Sequence, residues 1–167
     1  MSRSFDFSLE STVSVAEIHA AFAARDYWLA RLAMFGGLGA LDSLTVRPDG
    51  TVTAVVVKEI QHDGLSGPAA KLFPRRWRVV QTENWSPVDN GRIRGKVSIV
   101  PHGAPGAGSC TALIAPVRTG SRLECTATMT FDVPIIGGTV ETVMGRLLVQ
   151  NISAMQHFTT EWITEHA

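Results

Sequence analysis

The sequence predicts an α+β fold, in which a curved antiparallel sheet of about seven strands wraps around one long C-terminal helix. Apolar and polar residues alternate through most of the chain between residues 41 and 133, which is typical of half-buried strands. Turn-forming residues interrupt the alternation at short intervals, as they do between the strands of hairpins. After residue 138 the period of apolar residues changes from that of a strand to that of a helix. The predicted order is strand, two short helices, six strands and a long helix.

The N-terminal segment predicts one strand and two short helices. Apolar residues alternate with polar ones over residues 5–9, so this strand has one buried face. Ser14 and Glu17 have the spacing of a capping box, in which each side chain bonds the other residue's backbone, and they predict the start of the first helix. A second helix is predicted from Tyr27 to about Phe35, before a group of glycines.

Six further strands are predicted, and they are separated by turns such as Asp89-Asn90-Gly91. Their predicted ranges are 41–47, 51–60, 77–86, 92–100, 109–118 and 122–133. We expect Val97 in one strand, and Ala127 and Met129 in the last, to face inward, because each is in phase with other apolar residues.

The last helix is predicted from Thr139 to about His166. On a helical wheel one arc holds Val140, Met144, Leu147, Met155, Phe158 and Trp162. Asn151 lies near the middle of this arc, and a buried amide needs hydrogen-bond partners. The sequence leaves two partners open: a backbone carbonyl or water within the fold, and a polar group of a ligand.

A single helix is too narrow to fill a wide concave sheet, so a cavity is expected between the two. We predict that its walls combine residues of the helix with inward residues of the sheet. The predicted walls are Met144, Leu147, Asn151 and Met155 on the helix, with Val97, Ala127 and Met129 opposite.

Glu83 is a candidate polar residue of the same cavity. If Trp85 faces inward, Glu83 and Gln81 face inward too, and burial then raises the pKa of the Glu83 carboxyl group. If Arg78 and Val80 face inward instead, Glu83 is exposed. The alternation of this strand leaves both orientations open.

Composition and motifs narrow the classes of function. The 15 basic and 15 acidic residues balance, so there is no electrostatic case for nucleic-acid binding. No apolar run is long enough to span a membrane and no signal-peptide pattern is visible, so a cytoplasmic protein is expected.

The motifs His-Glu-x-x-His, Cys-x-x-Cys and Gly-x-Ser-x-Gly are absent, so we predict no metal, cofactor or catalytic residue. We expect one domain over residues 1–167, as a monomer or a homodimer.

The chain has two cysteines, Cys110 and Cys125, on neighbouring predicted strands. A turn centred on Gly120 pairs Cys125 with a residue near Ile114, which leaves Cys110 about four residues away along the strands. That separation is too long for a disulfide. We therefore expect two small buried thiols.

The order of elements, the Phe5-x-Phe7 strand and the segment from Val13 to Phe22 together resemble the START-like (SRPBCC) superfamily, which includes polyketide cyclases and birch-pollen-allergen-like proteins. More narrowly, the chain resembles an actinobacterial family of that superfamily with no assigned function. The resemblance implies the helix-grip fold and a pocket for a lipid, a polyketide or a similar hydrophobic molecule. It also implies that residues 61–76 and 101–108 gate this pocket.

Three functions follow from this resemblance. The first is a carrier or sensor of a small hydrophobic ligand, which an all-apolar cavity favours. The second is an enzyme of the cyclase or dehydratase type, which a cluster of titratable groups in the cavity favours. The third is a protein-interaction domain like the co-chaperones of the superfamily, which a filled core with an exposed apolar groove favours. Because no motif assigns catalysis, the binding function is preferred over an enzyme.

Overall fold

The structure is a computed structural model that describes residues 2–34, 39–61, 71, 73–131 and 137–167, with side chains left undescribed at 137–141, 143 and 144. The described residues form seven strands and three α-helices, in the order that the sequence predicts. The strands are β1 (Ser2–Ser11), β2 (Gly39–Val46), β3 (Val52–Gln61), β4 (Arg76–Val88), β5 (Arg92–His102), β6 (Ala107–Val117) and β7 (Gly120–Thr130). The helices are α1 (Val15–Phe22), α2 (Arg25–Met34) and α3 (Gly137–Glu165).

All seven strands belong to one antiparallel sheet, in the order β1-β7-β6-β5-β4-β3-β2. The first strand of the chain therefore pairs with the last, and every other pair joins strands that are consecutive in sequence. The sheet is curved. Both α1 and α3 contact it, and the two helices also contact each other. The predicted α+β helix-grip fold is confirmed.

Local chemistry accounts for the boundaries of these elements. The predicted capping box starts α1: Glu17 N donates to Ser14 Oγ at 3.1 Å, and Ser14 N donates to Glu17 Oε1 at 3.1 Å. Between β4 and β5, Asn90 and Gly91 have φ of 64° and 67°. Asn and Gly tolerate this left-handed conformation, which lets the two strands reverse direction tightly.

Buried apolar side chains form two clusters. The larger one joins α1, α2 and the C-terminal part of α3 to the sheet, and it includes Ile18, Trp28 and Ile163. The smaller one consists of Phe73, Met129 and Phe131, with Trp77, Ala104 and Leu148 packed against it. Members of both clusters border one cavity, which is described below.

The buried side of α3 is displaced by one residue from the predicted arc. Leu147 is 48% exposed and Asn151 is exposed, so the prediction that these two side chains are buried is wrong. The side of α3 that faces the protein carries Gly145, Leu148, Ile152, Gln156, Thr159 and Ile163. Val140 and Met144, which also belong to the predicted arc, lie outside the residues whose side chains are described.

A displacement by one residue is a rotation of about 100° about the helix axis. Two specific contacts explain it. The ring of Phe5 on β1 packs against Gly145 and leaves no room there for a Cβ atom. One and a half helical turns from the C-terminus, Tyr27 of α2 hydrogen-bonds Thr159. The helix therefore buries a glycine and polar residues that an apolar wheel places elsewhere.

Cys110 and Cys125 form a disulfide, with Cα atoms 6.6 Å apart, so the predicted pair of free thiols is wrong. The error lies in the register of the hairpin. Val117 pairs with Gly120, which places Cys125 opposite Ala112. The two cysteines are consequently diagonal neighbours, within the reach of a disulfide.

Candidate ligand cavity

A cavity of about 400 Å³ lies between the inner face of the sheet and α3. Its volume falls within the range of about 300–1,000 Å³ that is typical of pockets for small molecules. The walls are mostly apolar, and they include Ile60, Val79, Ile99, Ile114, Leu123, Phe131 and Ile152. A cavity between sheet and helix was predicted from the sequence, and the structure has one there.

Most of the predicted wall residues border this cavity: Leu147, Asn151, Met155, Val97, Met129 and Glu83. Leu147 and Asn151 are also exposed, so they form a rim where the cavity meets solvent. Ala127 is fully buried but does not border the cavity. The side chain of Met144 lies outside the described residues.

Parts of both predicted gating segments border the cavity. From the first segment Phe73 lines the wall, and from the second Pro105, Gly106 and Gly108 do so. Residues 62–70 and 72 of the first segment lie outside the described part of the chain. A gating role for these segments stays a prediction.

A buried ion pair stands at one side of the cavity. Arg31 Nη2 lies 2.7 Å from Glu83 Oε1, and the two side chains are 8% and 2% exposed. Tyr27 and Arg31 are four residues apart on α2, so the two side chains lie on the same face of the helix. On β4, Gln81, Glu83 and Trp85 are all buried, which decides the orientation that the sequence left open.

Both carboxylate oxygens of Glu83 are occupied. Oε1 accepts from Arg31 Nη2 and from Gln81 Nε2 at 2.5 Å, and Oε2 accepts from Trp85 Nε1 at 2.9 Å. Burial by itself raises the pKa of Glu83, but the charge and hydrogen bonds of Arg31, helped by the Trp85 hydrogen bond and the charge of Lys58, hold that pKa below its usual value. The predicted rise in pKa on inward orientation is therefore wrong, because Glu83 has a buried cationic partner.

Arg31 also connects α2 to α3 and to its own helix. Its Nη2 lies 2.6 Å from Met155 Sδ. Its guanidinium carbon lies 4.7 Å from the centre of the Trp28 ring, which is the geometry of a cation–π contact. These contacts hold the guanidinium in place beside the cavity.

Lys58 is a second cation that borders the cavity. Its Nζ donates to Gln81 Oε1 at 3.2 Å. Burial and the nearby charge of Arg31, opposed by Glu83, lower the pKa of Lys58 to about 8. Lys58 was not predicted from the sequence, although it is in phase with the buried residues Ala54 and Val56 of β3.

Tyr27, Thr159 and Gln156 complete the polar border. The hydroxyl groups of Tyr27 and Thr159 are 2.6 Å apart, and Thr159 Oγ1 donates to the backbone carbonyl of Met155 at 2.7 Å. Tyr27 is therefore the donor to Thr159, and burial raises the Tyr27 pKa. Gln156 is 8% exposed, and within the described residues its Nε2 has no hydrogen-bond partner.

No cluster of three or more His, Cys, Asp or Glu side chains is placed to hold a metal ion among the described residues. Across the same residues, no helix combines the length and the hydropathy needed to cross a membrane.

Comparisons with known proteins place this geometry in a wider context. A family described as "Protein of unknown function (DUF2505)" matches residues 6–163. An uncharacterized protein of Mycobacterium tuberculosis is 34% identical over 177 aligned residues, which cover 99% of each chain.

Solved structures share the fold at low sequence identity. A putative uncharacterized protein from Rhizobium leguminosarum superposes with a TM-score of 0.60 at 11% identity, covering 99% of this chain and 96% of that one. Norcoclaurine synthase from Thalictrum flavum superposes with a TM-score of 0.57 at 16% identity, covering 99% and 88%. Another structure of that synthase is a complex with dopamine and hydroxybenzaldehyde. These structures show that the chain shares the fold that the resemblance seen in the sequence implies.

Proposed function

The chain belongs to the DUF2505 family of unknown function, and from its START-like fold and its cavity we propose that it binds one small hydrophobic ligand, as a carrier or sensor. The observation that carries this proposal is the cavity of about 400 Å³ between the sheet and α3. An apolar space of this size is costly to leave in contact with water, and an apolar ligand removes that cost. The complex of norcoclaurine synthase with dopamine and hydroxybenzaldehyde supports the proposal, since the same fold there accommodates small aromatic molecules.

The cluster of titratable groups beside the cavity raises the alternative of a cyclase- or dehydratase-type enzyme. The alternative predicted from the sequence calls for a carboxylate or histidine that is free to exchange a proton with the substrate. Glu83 accepts hydrogen bonds at both oxygens and has a lowered pKa, so it is a poor base. Among the described residues that border the cavity there is no histidine. This arrangement supports ligand binding more than proton transfer.

Two valines on β5 allow a matched test of the proposal. Val97 borders the cavity, whereas Val100 points to the opposite face and is 45% exposed. The neutral dye N-phenyl-1-naphthylamine, which fluoresces in apolar surroundings, serves as the probe. We expect Val97→Trp to fill part of the cavity and to weaken dye binding about tenfold or more, and Val100→Trp to leave it unchanged.

Circular dichroism and thermal melts establish that both variants are folded. Equal dye affinity in the wild type and in a folded Val97→Trp variant would place the dye outside the cavity and would refute the proposal.

A further inference from the structure

The side-chain oxygens of Glu83 and Gln81, at the polar side of the cavity, already have donors. The two oxygens of Glu83 accept from Arg31, Gln81 and Trp85. The side-chain oxygen of Gln81 accepts from Lys58. These acceptors are therefore engaged within the protein, and a ligand donor that approaches them has to compete for them.

Donor groups, in contrast, are left over on both walls. Lys58 Nζ carries three N–H bonds when it is protonated, and within the described residues it makes one hydrogen bond, to Gln81. On α3, Gln156 borders the cavity, and its buried Nε2 has no partner among the described residues. A buried donor without an acceptor destabilises the protein. A ligand that brings acceptor oxygens removes this penalty.

The charged side chains beside the cavity also favour an anionic ligand. Arg31 and Glu83 form a close ion pair and neutralise each other. Lys58 then adds one positive charge to a space whose walls are mostly apolar. An anion in such surroundings is attracted more strongly than it is in water, because the effective dielectric constant is lower. One negative charge matches this surplus, whereas a phosphate monoester carries about −1.5 to −2 near pH 7.

Extending the proposed function, on which this inference rests, we propose that the ligand is an amphiphilic carboxylic acid. Its carboxylate binds Lys58 Nζ, an oxygen of the ligand accepts from Gln156 Nε2, and its apolar body occupies the space between the sheet and α3.

Three probes with the same chain length and different head groups test this inference: decanoate, decanol and decylamine. Each displaces N-phenyl-1-naphthylamine from the wild-type protein in a competition titration at pH 7. We expect decanoate to bind about tenfold or more tightly than decanol, because one charge-assisted hydrogen bond is worth about that much. Decylamine should bind no better than decanol. Equal affinities for decanoate and decanol would overturn the inference and leave the proposed function intact, since both would still enter the cavity.

Two variants assign the recognition to the named residues. Lys58→Met removes the charge and keeps a chain of similar length, so decanoate should lose its tenfold or greater preference over decanol in this variant. Gln156→Leu removes the unpartnered donor, so it should weaken decanoate about threefold to tenfold without lowering the melting temperature. A folded Lys58→Met variant that keeps the full preference for decanoate over decanol would contradict the role given to Lys58. Failure of the wild type to take up the dye or any of the three probes would overturn the proposed function itself.

Discussion

Arg31 of α2 and Glu83 of β4 form an ion pair of 2.7 Å that is almost completely removed from solvent. The two residues are 52 positions apart in the chain, so their contact fixes α2 against the sheet. Such a pair adds little net stability when intact, because both charges lose their hydration. It is nevertheless sensitive to the loss of either partner, because the remaining charge is then buried alone.

A matched comparison tests this sensitivity. Arg31→Met should lower the free energy of unfolding by about 3–5 kcal/mol, because it leaves the Glu83 carboxylate buried without its cation. Arg122→Met is the control: Arg122 and Glu10 are also 2.7 Å apart, but they are 44% and 58% exposed. The control should change the stability little, because solvent screens an exposed pair. Urea denaturation measures both values, and equal costs would show that burial of the pair is not the deciding factor.

The orientation of α3 gives a second prediction. Ile163 is 6% exposed and lies in the larger core cluster, whereas Leu147 is 48% exposed at the cavity rim. Ile163→Ala should cost about 2–5 kcal/mol, because the truncation leaves a void in the core. Leu147→Ala should cost less than about 1 kcal/mol. Thermal or urea melts that rank the two variants in the opposite order would restore the helix face predicted from the sequence.

The affinity for decanoate should depend on pH through Lys58. The charged groups that act on Lys58 in the described structure are Arg31 of α2 and Glu83 of β4. Glu83 has a lowered pKa and Arg31 a raised one, so both stay ionised from pH 6 to pH 10. Lys58, with its pKa lowered to about 8, loses its proton in that interval.

A carboxylate prefers the protonated lysine, so decanoate affinity should be greatest below pH 8 and should fall as the pH rises above it. Decanol affinity should stay constant over the same interval, and so should the decanoate affinity of Lys58→Met. Dye-displacement titrations at several pH values provide the measurement. A decanoate affinity that does not change from pH 6 to pH 10 in the wild type would show that Lys58 does not hold the carboxylate.

The side of the sheet on which a strand residue lies was the feature that the sequence predicted best. Val97 and Met129 face inward as expected, because period-two alternation reports directly on which side of a sheet a residue lies. The cavity followed from the same alternation together with one long helix. The capping box of α1 was also predictable, since both partners are three residues apart.

Long-range partners account for what the sequence missed. Arg31 interrupts an apolar stretch, and nothing near it in the chain indicates that its partner is Glu83. The face of α3 depends on Gly145 and Thr159, whose partners lie on β1 and α2. The register of the last hairpin was misjudged because the turn lies slightly earlier than the central glycine suggests, which brought Cys110 within reach of its partner.

Nuclear Overhauser contacts to methionine methyl groups test the central claim most directly. Met129 and Met155 border the cavity, whereas Met34 is 64% exposed on α2 and is not part of its wall. In protein labelled with carbon-13 at the methionine methyls, we expect bound decanoate to give intermolecular contacts to Met129 and Met155 and none to Met34. Contacts to Met34 alone, or bound decanoate without contacts to either cavity methionine, would contradict a ligand site between the sheet and α3.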